Sequence, residues 1–271
     1  MNRIALVISD VDGTLVTTQK RVTDRTRAAV AALHAQGIRF TVVSSRPPFG
    51  LRMLIEALGI VAPVAAFNGG AIVSPALQIL NQRSIDANVA REIIAFLEAK
   101  HVGAWLFTGE EWLTRDVGGA HVSHETITVQ QRPHVVENFD AVIDRAGKIV
   151  GVSNDFARLE AIEGEARSYF GTRATAVRSQ TYYLDFMAPG VDKGLAVREL
   201  AETIQVPLAE IVTLGDMEND VPMFRQAGFS IAMGNATDAV KREAHETTVS
   251  NDEDGFAAAV ERFILPHAKG T

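Results

Sequence analysis

Two aspartates one residue apart, Asp10 and Asp12, end a run that starts with the apolar stretch Ile4 to Ile8 and turns at Gly13. Two carboxylates that near repel each other unless a cation or a proton lies close. A magnesium ion meets that need, because it prefers oxygen ligands and binds through one or two carboxylates together with phosphate. The chemistry that suits the pair is attack on phosphorus by Asp10, with Asp12 handling the proton. Aspartates after a strand also serve as turn residues and helix caps, so the pair alone leaves both readings open.

The elements that follow must bring partners to these acids. Thr23 is placed to cap a helix over 24–36, with Ala28, Ala29, Ala32 and Leu33 on one face and Gly37 closing it. A buried-type strand over 38–43 then runs into Ser44-Ser45-Arg46. Strand, helix and strand at this spacing make a parallel βαβ unit. Ligands of such sheets sit beyond the carboxyl ends of the strands, so Asp10, Asp12 and Ser44 are expected at one rim. A second helix over 49–58 stops at Gly59, and the apolar stretch 62–67 leads to the turn Asn68-Gly69-Gly70 and a strand at 71–73.

The texture changes near residue 83. Asp86 opens a helix with Val89, Ile93 and Leu97 on one face. Trp105-Leu106-Phe107 and Trp112-Leu113 flank Gly109-Glu110-Glu111 as a hairpin. Strands are expected over 148–153 and 181–187, with a helix between them capped by Asn154 and carrying Phe156, Leu159, Ile162 and Tyr169. Such a mixture between two halves of a parallel sheet reads as an inserted α+β module. The expected division is a core of 1–83 and 188–271 with an insert of 84–187.

Beyond the insert, Val191-Asp192-Lys193-Gly194 opens a helix running to 204, and a short buried strand over 211–214 leads into Gly215-Asp216-Met217-Glu218-Asn219-Asp220. Pro222 suits the first turn of a further helix. A strand over 229–233, the turn Gly234-Asn235-Ala236 and a last helix with Phe256, Val260 and Phe263 on one face complete the pattern; 267–271 look frayed.

Composition narrows the partners. The 271 residues are 47% apolar and 22% charged with a net charge of −7, as in an ordinary soluble globule. That charge argues against nucleic acid, which needs a basic stripe; Lys20-Arg21 with Arg25 and Arg27 reads as a solvated helix face. No apolar run approaches the ~18 residues of a membrane span, and the opening residues do not resemble a signal peptide. With no cysteines there is neither a disulfide framework nor a thiolate metal site, which suits a cytoplasmic location. An acidic protein that handles anions must concentrate positive charge locally, in a metal, a lysine or a helix N-terminus.

Four separated pieces end at strand rims or helix starts: Asp10 with Asp12, Ser44, Lys193, and Asp216 with Asn219 and Asp220. Together they supply acids for a magnesium ion, a fixed positive charge and a hydroxyl donor, the parts phosphoryl transfer needs. In this order, Asp-x-Asp-Gly-Thr, a strand-end serine, a lysine before a helix and Gly-Asp-x-x-Asn-Asp resemble the haloacid dehalogenase superfamily. The large insert after Ser44 is similar to that of its Cof-type phosphatases with a type IIB cap. So are Asn68-Gly69-Gly70-Ala71, Ala232-Met233-Gly234-Asn235-Ala236 and Glu253-Asp254-Gly255.

The resemblance implies a Rossmann-like α/β core, a cap that closes over the site, and magnesium-dependent hydrolysis of a small phosphorylated metabolite. It makes Asp10 the nucleophile and a metal ligand. Asp12 becomes acid, then base, with its backbone carbonyl on the metal. Ser44 and Lys193 would hold the phosphoryl group, Asp216 would bind the metal, and Asp220 would support it. Ser45, Arg46, Asn68, Gly69 and Asn219 would line the phosphate and substrate site. Relatives often carry Thr-Gly-Arg where this chain has Ser44-Ser45-Arg46, so the loop loses a glycine's freedom. A sugar phosphomutase or phosphotransferase, and a non-enzymatic phosphometabolite-binding protein, are the alternative functions. A monomer or a homodimer fits equally. His121, His124 and His134 show no metal-binding spacing, and Trp105, Phe107 and Trp112 read as packing residues.

Overall fold

The computed structural model describes residues 3–267, so 268–271, part of the segment expected to fray, lie outside the described residues. Strand β1 (Leu6–Ser9) is buried throughout, and its side chains alternate between two hydrophobic clusters: Val7 faces one, Leu6 and Ile8 the other. A strand covered on both faces has no polar side, which is why it reads as a continuous apolar run. Thr23 caps α1 (Asp24–Ala35) by accepting the Thr26 amide, and Gly37 follows in the left-handed region at φ 71°.

Strand β2 (Arg39–Val42) pairs parallel with β1 and delivers Ser44 to the same rim. A 3-10 turn at Pro48–Leu51 precedes α2 (Arg52–Leu58), so the expected single helix is two pieces. Proline at the first position favours the entry, and the side chains of Leu51, Leu54, Ile55 and Leu58 anchor both pieces. Strands β3 (Val64–Ala66), β4 (Ala71–Val73) and β5 (Ile79–Gln82) form an antiparallel sheet. β5 carries no sequence signal, because Ile79, Leu80 and Asn81 are all exposed and show no buried alternation.

The insert comes next: α3 (Ala87–Ala99), β6 (Gly103–Phe107), β7 (Trp112–Thr114), α4 (Val122–Val129), β8 (His134–Val135), β9 (Lys148–Val152), α5 (Phe156–Phe170), β10 (Thr175–Gln180) and β11 (Tyr183–Met187). Its six strands lie in the order β10-β11-β9-β6-β7-β8, antiparallel except between β7 and β8. Helices α3 and α5 cover one face through Ile93, Leu97, Leu159 and Phe170. The other face, with Trp105, Phe107 and Val150, belongs to the cluster that contains Val7 and Phe40 of the core.

Two expectations for α5 are corrected. Its cap is Asp155, which accepts the Arg158 amide, rather than Asn154. Phe170 fills the buried position while Tyr169 is exposed, because burial follows Leu159, Ile162, Glu163 and Ala166 around the helix.

Helix α6 (Lys193–Ile204) returns the chain to the core, followed by β12 (Ile211–Gly215), α7 (Val221–Phe224), β13 (Phe229–Ala232), α8 (Asp238–Lys241), β14 (Glu246–Thr247) and α9 (Gly255–Ala259). The core sheet is parallel in the order β14-β13-β12-β1-β2. After α9 the helix widens into a π turn over Val260–Ile264. That extra residue per turn rotates the apolar face, so Ile264, rather than Phe263, is fully buried. Among the described residues no helix is long and apolar enough to cross a membrane.

Candidate active site

β1 and β12 are adjacent and in parallel register, Ser9 opposite Leu214. The acids that follow them, Asp10 and Asp216, therefore leave the sheet side by side. The Asp10 amide donates to the Leu214 carbonyl at 2.9 Å, which fixes the exit of the chain. Gly13 then turns it at φ 87°, where a Cβ would run into the Asp216 carboxylate, so only glycine lets the loop approach this closely. Thr14 Oγ1 donates to Asp216 Oδ1 at 2.9 Å and Asn235 Nδ2 to Oδ2 at 3.2 Å, holding that carboxylate from both sides.

Lys193 is the first residue of α6, whose N-cap Asp192 accepts the Leu195 amide at 2.7 Å. Its ammonium is buried and donates to Asp10 Oδ1 at 2.6 Å and Asp220 Oδ1 at 2.5 Å. The other oxygen of Asp220 accepts the Asp216 and Met217 amides at 2.7 and 2.9 Å. Three donors thus occupy Asp220, which orients both the lysine and the loop bearing Asp216.

Asp10, Asp216 and Asp220 bring carboxylate oxygens within 4.8 Å of one another. Burial, opposed by Lys193 but reinforced by Asp220 and Asp12, pushes the Asp10 carboxyl up to about 7. Burial, then Asp10 and Asp220, raise Asp216 well above the carboxylate range. Acids crowded in this way with one lysine are short of positive charge. An all-oxygen donor set fits a hard divalent cation, and Asp10 with Asp216 are the two carboxylates least committed to other donors.

Asp12 faces the other way. Its carboxylate is clasped by Arg46, Nε to Oδ2 and Nη2 to Oδ1 at 2.8 Å each, and by Lys20 Nζ at 2.7 Å. Against the penalty of burial, Arg46 and then Lys20 hold this carboxyl far below the usual range. Lys20 is therefore not part of a solvated helix face. It precedes α1 on a loop, in the left-handed region at φ 60°, and its side chain is only 16% exposed. The Arg46 guanidinium also donates to the carbonyls of Gly50 and of Thr128 in α4, so it ties the core to the insert.

The remaining sequence candidates are spread along this seam. Ser44 is buried beside Asp10's rim, and its Oγ accepts the Arg46 amide at 3.2 Å. Ser45 faces the insert, its carbonyl accepting from Lys148 Nζ at 2.8 Å. Asn68, in the left-handed region at φ 56°, donates to Asp185 and accepts from Asn219 Nδ2 at 3.2 Å. Gly69, at φ 101°, passes so close to Asp192 and Ala196 of α6 that a Cβ would meet them. Asn219 Oδ1 and Asp185 Oδ1 are buried without a hydrogen-bond partner among the described residues.

Lys20, Glu125, Lys148 and Asp185 also lie along this seam but belong to no motif, since they fall in the loop before α1 and in the insert. His121 is the N-cap residue of α4, and its ring stacks on Tyr182 at 4.3 Å. Trp105, Phe107 and Trp112 are buried against each other.

A parallel α/β sheet with acids at its carboxyl rim and an α+β insert closing over them defines a capped hydrolase fold. The chain matches the haloacid dehalogenase-like hydrolases over residues 7–260 and belongs to that family. A protein of Haemophilus influenzae is 30% identical over 260 residues, spanning 94% of this chain and 96% of its own. Phosphatase YwpJ of Bacillus subtilis is 27% identical over 285 residues, spanning 96% and 99%. The crystal structure of a haloacid dehalogenase-like hydrolase from Bacteroides thetaiotaomicron superposes with a TM-score of 0.85 at 28% identity, covering 96% of this chain and 99% of that one.

Proposed function

We propose that this chain is a magnesium-dependent phosphatase of small phosphorylated metabolites, working through an aspartyl phosphate on Asp10, with 84–187 as its cap. The reading rests above all on Lys193, which bridges Asp10 Oδ1 and Asp220 Oδ1 where Asp10, Asp216 and Asp220 bring carboxylate oxygens together. That similar proteins such as YwpJ are named phosphatases agrees with it.

In the first step an Asp10 oxygen attacks phosphorus, the ester P–O bond breaks, and Asp12 gives its proton to the departing oxygen. In the second, Asp12 takes a proton from water as the water oxygen attacks phosphorus, and the bond to Asp10 breaks, releasing phosphate. Lys193 and the Ser44 hydroxyl hold the phosphoryl oxygens through both steps. A magnesium ion held by Asp10, Asp216 and the Asp12 backbone carbonyl would neutralise phosphoryl charge and keep Asp10 ionised. With Arg46 and Lys20 on its carboxylate, Asp12 stands in the base form. Its acid role requires those cations to let go of at least one oxygen.

Purified protein should release phosphate from p-nitrophenyl phosphate with magnesium and lose this in chelator. Asp10→Asn should abolish turnover while keeping the circular dichroism of the wild type. Full activity in Asp10→Asn would remove the mechanism.

A further inference from the structure

Between Asp12 and the insert lies a cavity of about 20 Å³, lined by three cationic side chains: Lys20, Arg46 and Lys148. They arrive from three separate elements, the loop before α1, the loop after β2 and the first residue of β9. On the phosphatase reading, the phosphoryl group itself is held at the other end, by Lys193 and Ser44. Two of the three cations share one carboxylate, Asp12. The third, Lys148, is 4% exposed, lies 5.1 Å above the Phe107 ring, and donates to the Ser45 carbonyl. Its nearest carboxylate, Asp185, is 3.5 Å away and also serves Asn68.

The opposing acid of the cavity, Glu125, hydrogen-bonds Tyr183 rather than any cation. Burial raises both Glu125 and Asp185, although Lys148 opposes this in each case. The rest of the wall is polar, with Gln180, Tyr182 and His124, and offers no aliphatic platform.

Arg46 and Lys20 place two donors on Asp12 Oδ1 and one on Oδ2, so a leaving-group oxygen that approaches this carboxylate competes with them. A buried cation that loses its carboxylate is costly unless another anion replaces it.

Building on the phosphatase reading, we propose that the substrate is a phosphomonoester whose leaving group carries a second anionic group, a carboxylate or a second phosphate, received by Arg46, Lys20 and Lys148. The incoming anion takes the cations from Asp12 and frees it to meet the ester oxygen. Lys148 is the specificity-determining residue contributed by the cap.

The test compares kcat/KM within matched pairs: 3-phosphoglycerate against glycerol 3-phosphate for a carboxylate, and fructose 1,6-bisphosphate against fructose 6-phosphate for a second phosphate. One diacid member should exceed its partner by about tenfold or more, and the pair that shows it identifies the anion. Lys148→Met should bring that ratio towards one. A ratio within one preparation is independent of the folded fraction, so instability of the variant does not mask the result. Turnover of p-nitrophenyl phosphate with no preference in either pair overturns this proposal and leaves the phosphatase reading standing. A preference undiminished in Lys148→Met also overturns it. No turnover of any ester overturns both.

Discussion

Asp10 and Asp12 stand one residue apart, yet their surroundings drive their acidities in opposite directions. Asp10 shares Lys193 with a second acid and is pushed up to about 7, whereas Asp12 has two cations to itself and is held far down. In the metal-free protein the folded state keeps a proton on Asp10 that the unfolded chain loses near its ordinary value of 3.8. The unfolded state then binds fewer protons, so this group lowers stability as pH rises from that value through about 7. A bound cation needs the ionised form and reverses the trend. The rise in Tm on adding magnesium should accordingly be larger at about pH 8 than at about pH 5, and equal shifts would contradict the assignment. Asn235 and Thr14 act one step further out, by aiming Asp216. Asn235→Ala should weaken magnesium about 10- to 100-fold in a titration of activity against metal, with little change in kcat at saturating metal.

Elements place these residues through their ends. The parallel register of β1 with β12 and β2 puts three loops on one rim, and α6 begins at that rim with Lys193 in its first turn. Asp192 starts this helix by accepting the Leu195 amide. Asp192→Ala should cost ~1 kcal/mol in urea denaturation and lower kcat as well, since the cap precedes the lysine directly; loss of stability with kcat intact would separate the two. How well each element reads from sequence follows its burial pattern. β1, β2 and α1 carry apolar periodicity and end signals, so their positions are legible. β5 and β10 are exposed or half-buried along most of their length and owe their pairing to neighbours that only the fold supplies.

At the scale of the molecule, the insert packs its Trp105–Phe107 face on the core and leaves room for about one water beside Asp12. On the phosphatase reading, the two parts are expected to separate before a phosphate ester enters. The absence of cysteines makes this testable with a single crosslink. A Cβ on Gly50 would lie 3.2 Å from the Cβ of Val129 in α4, near the separation a disulfide spans. The double variant Gly50→Cys with Val129→Cys should lose phosphate release when oxidised and regain it on reduction. Unchanged activity in the oxidised, crosslinked protein would show that the cap need not open.

Sequence alone determined the family and the α/β core, and it singled out Asp10, Asp12, Asp216 and Asp220 as candidates, because backbone geometry ties chemistry to short local patterns. A strand ending in Asp-x-Asp-Gly has few other uses once a capped lysine and a second acidic turn follow it. Tertiary structure alone decided that Asp220 serves Lys193 and two amides, that Arg46 and Lys20 hold Asp12, and that Lys148 crosses from the insert to the Ser45 carbonyl. These contacts join residues whose local sequence carries no periodicity or turn signal for them. A charged side chain's partner is set by which buried acid lies within about 3 Å of it, and that distance exists only after the chain has closed.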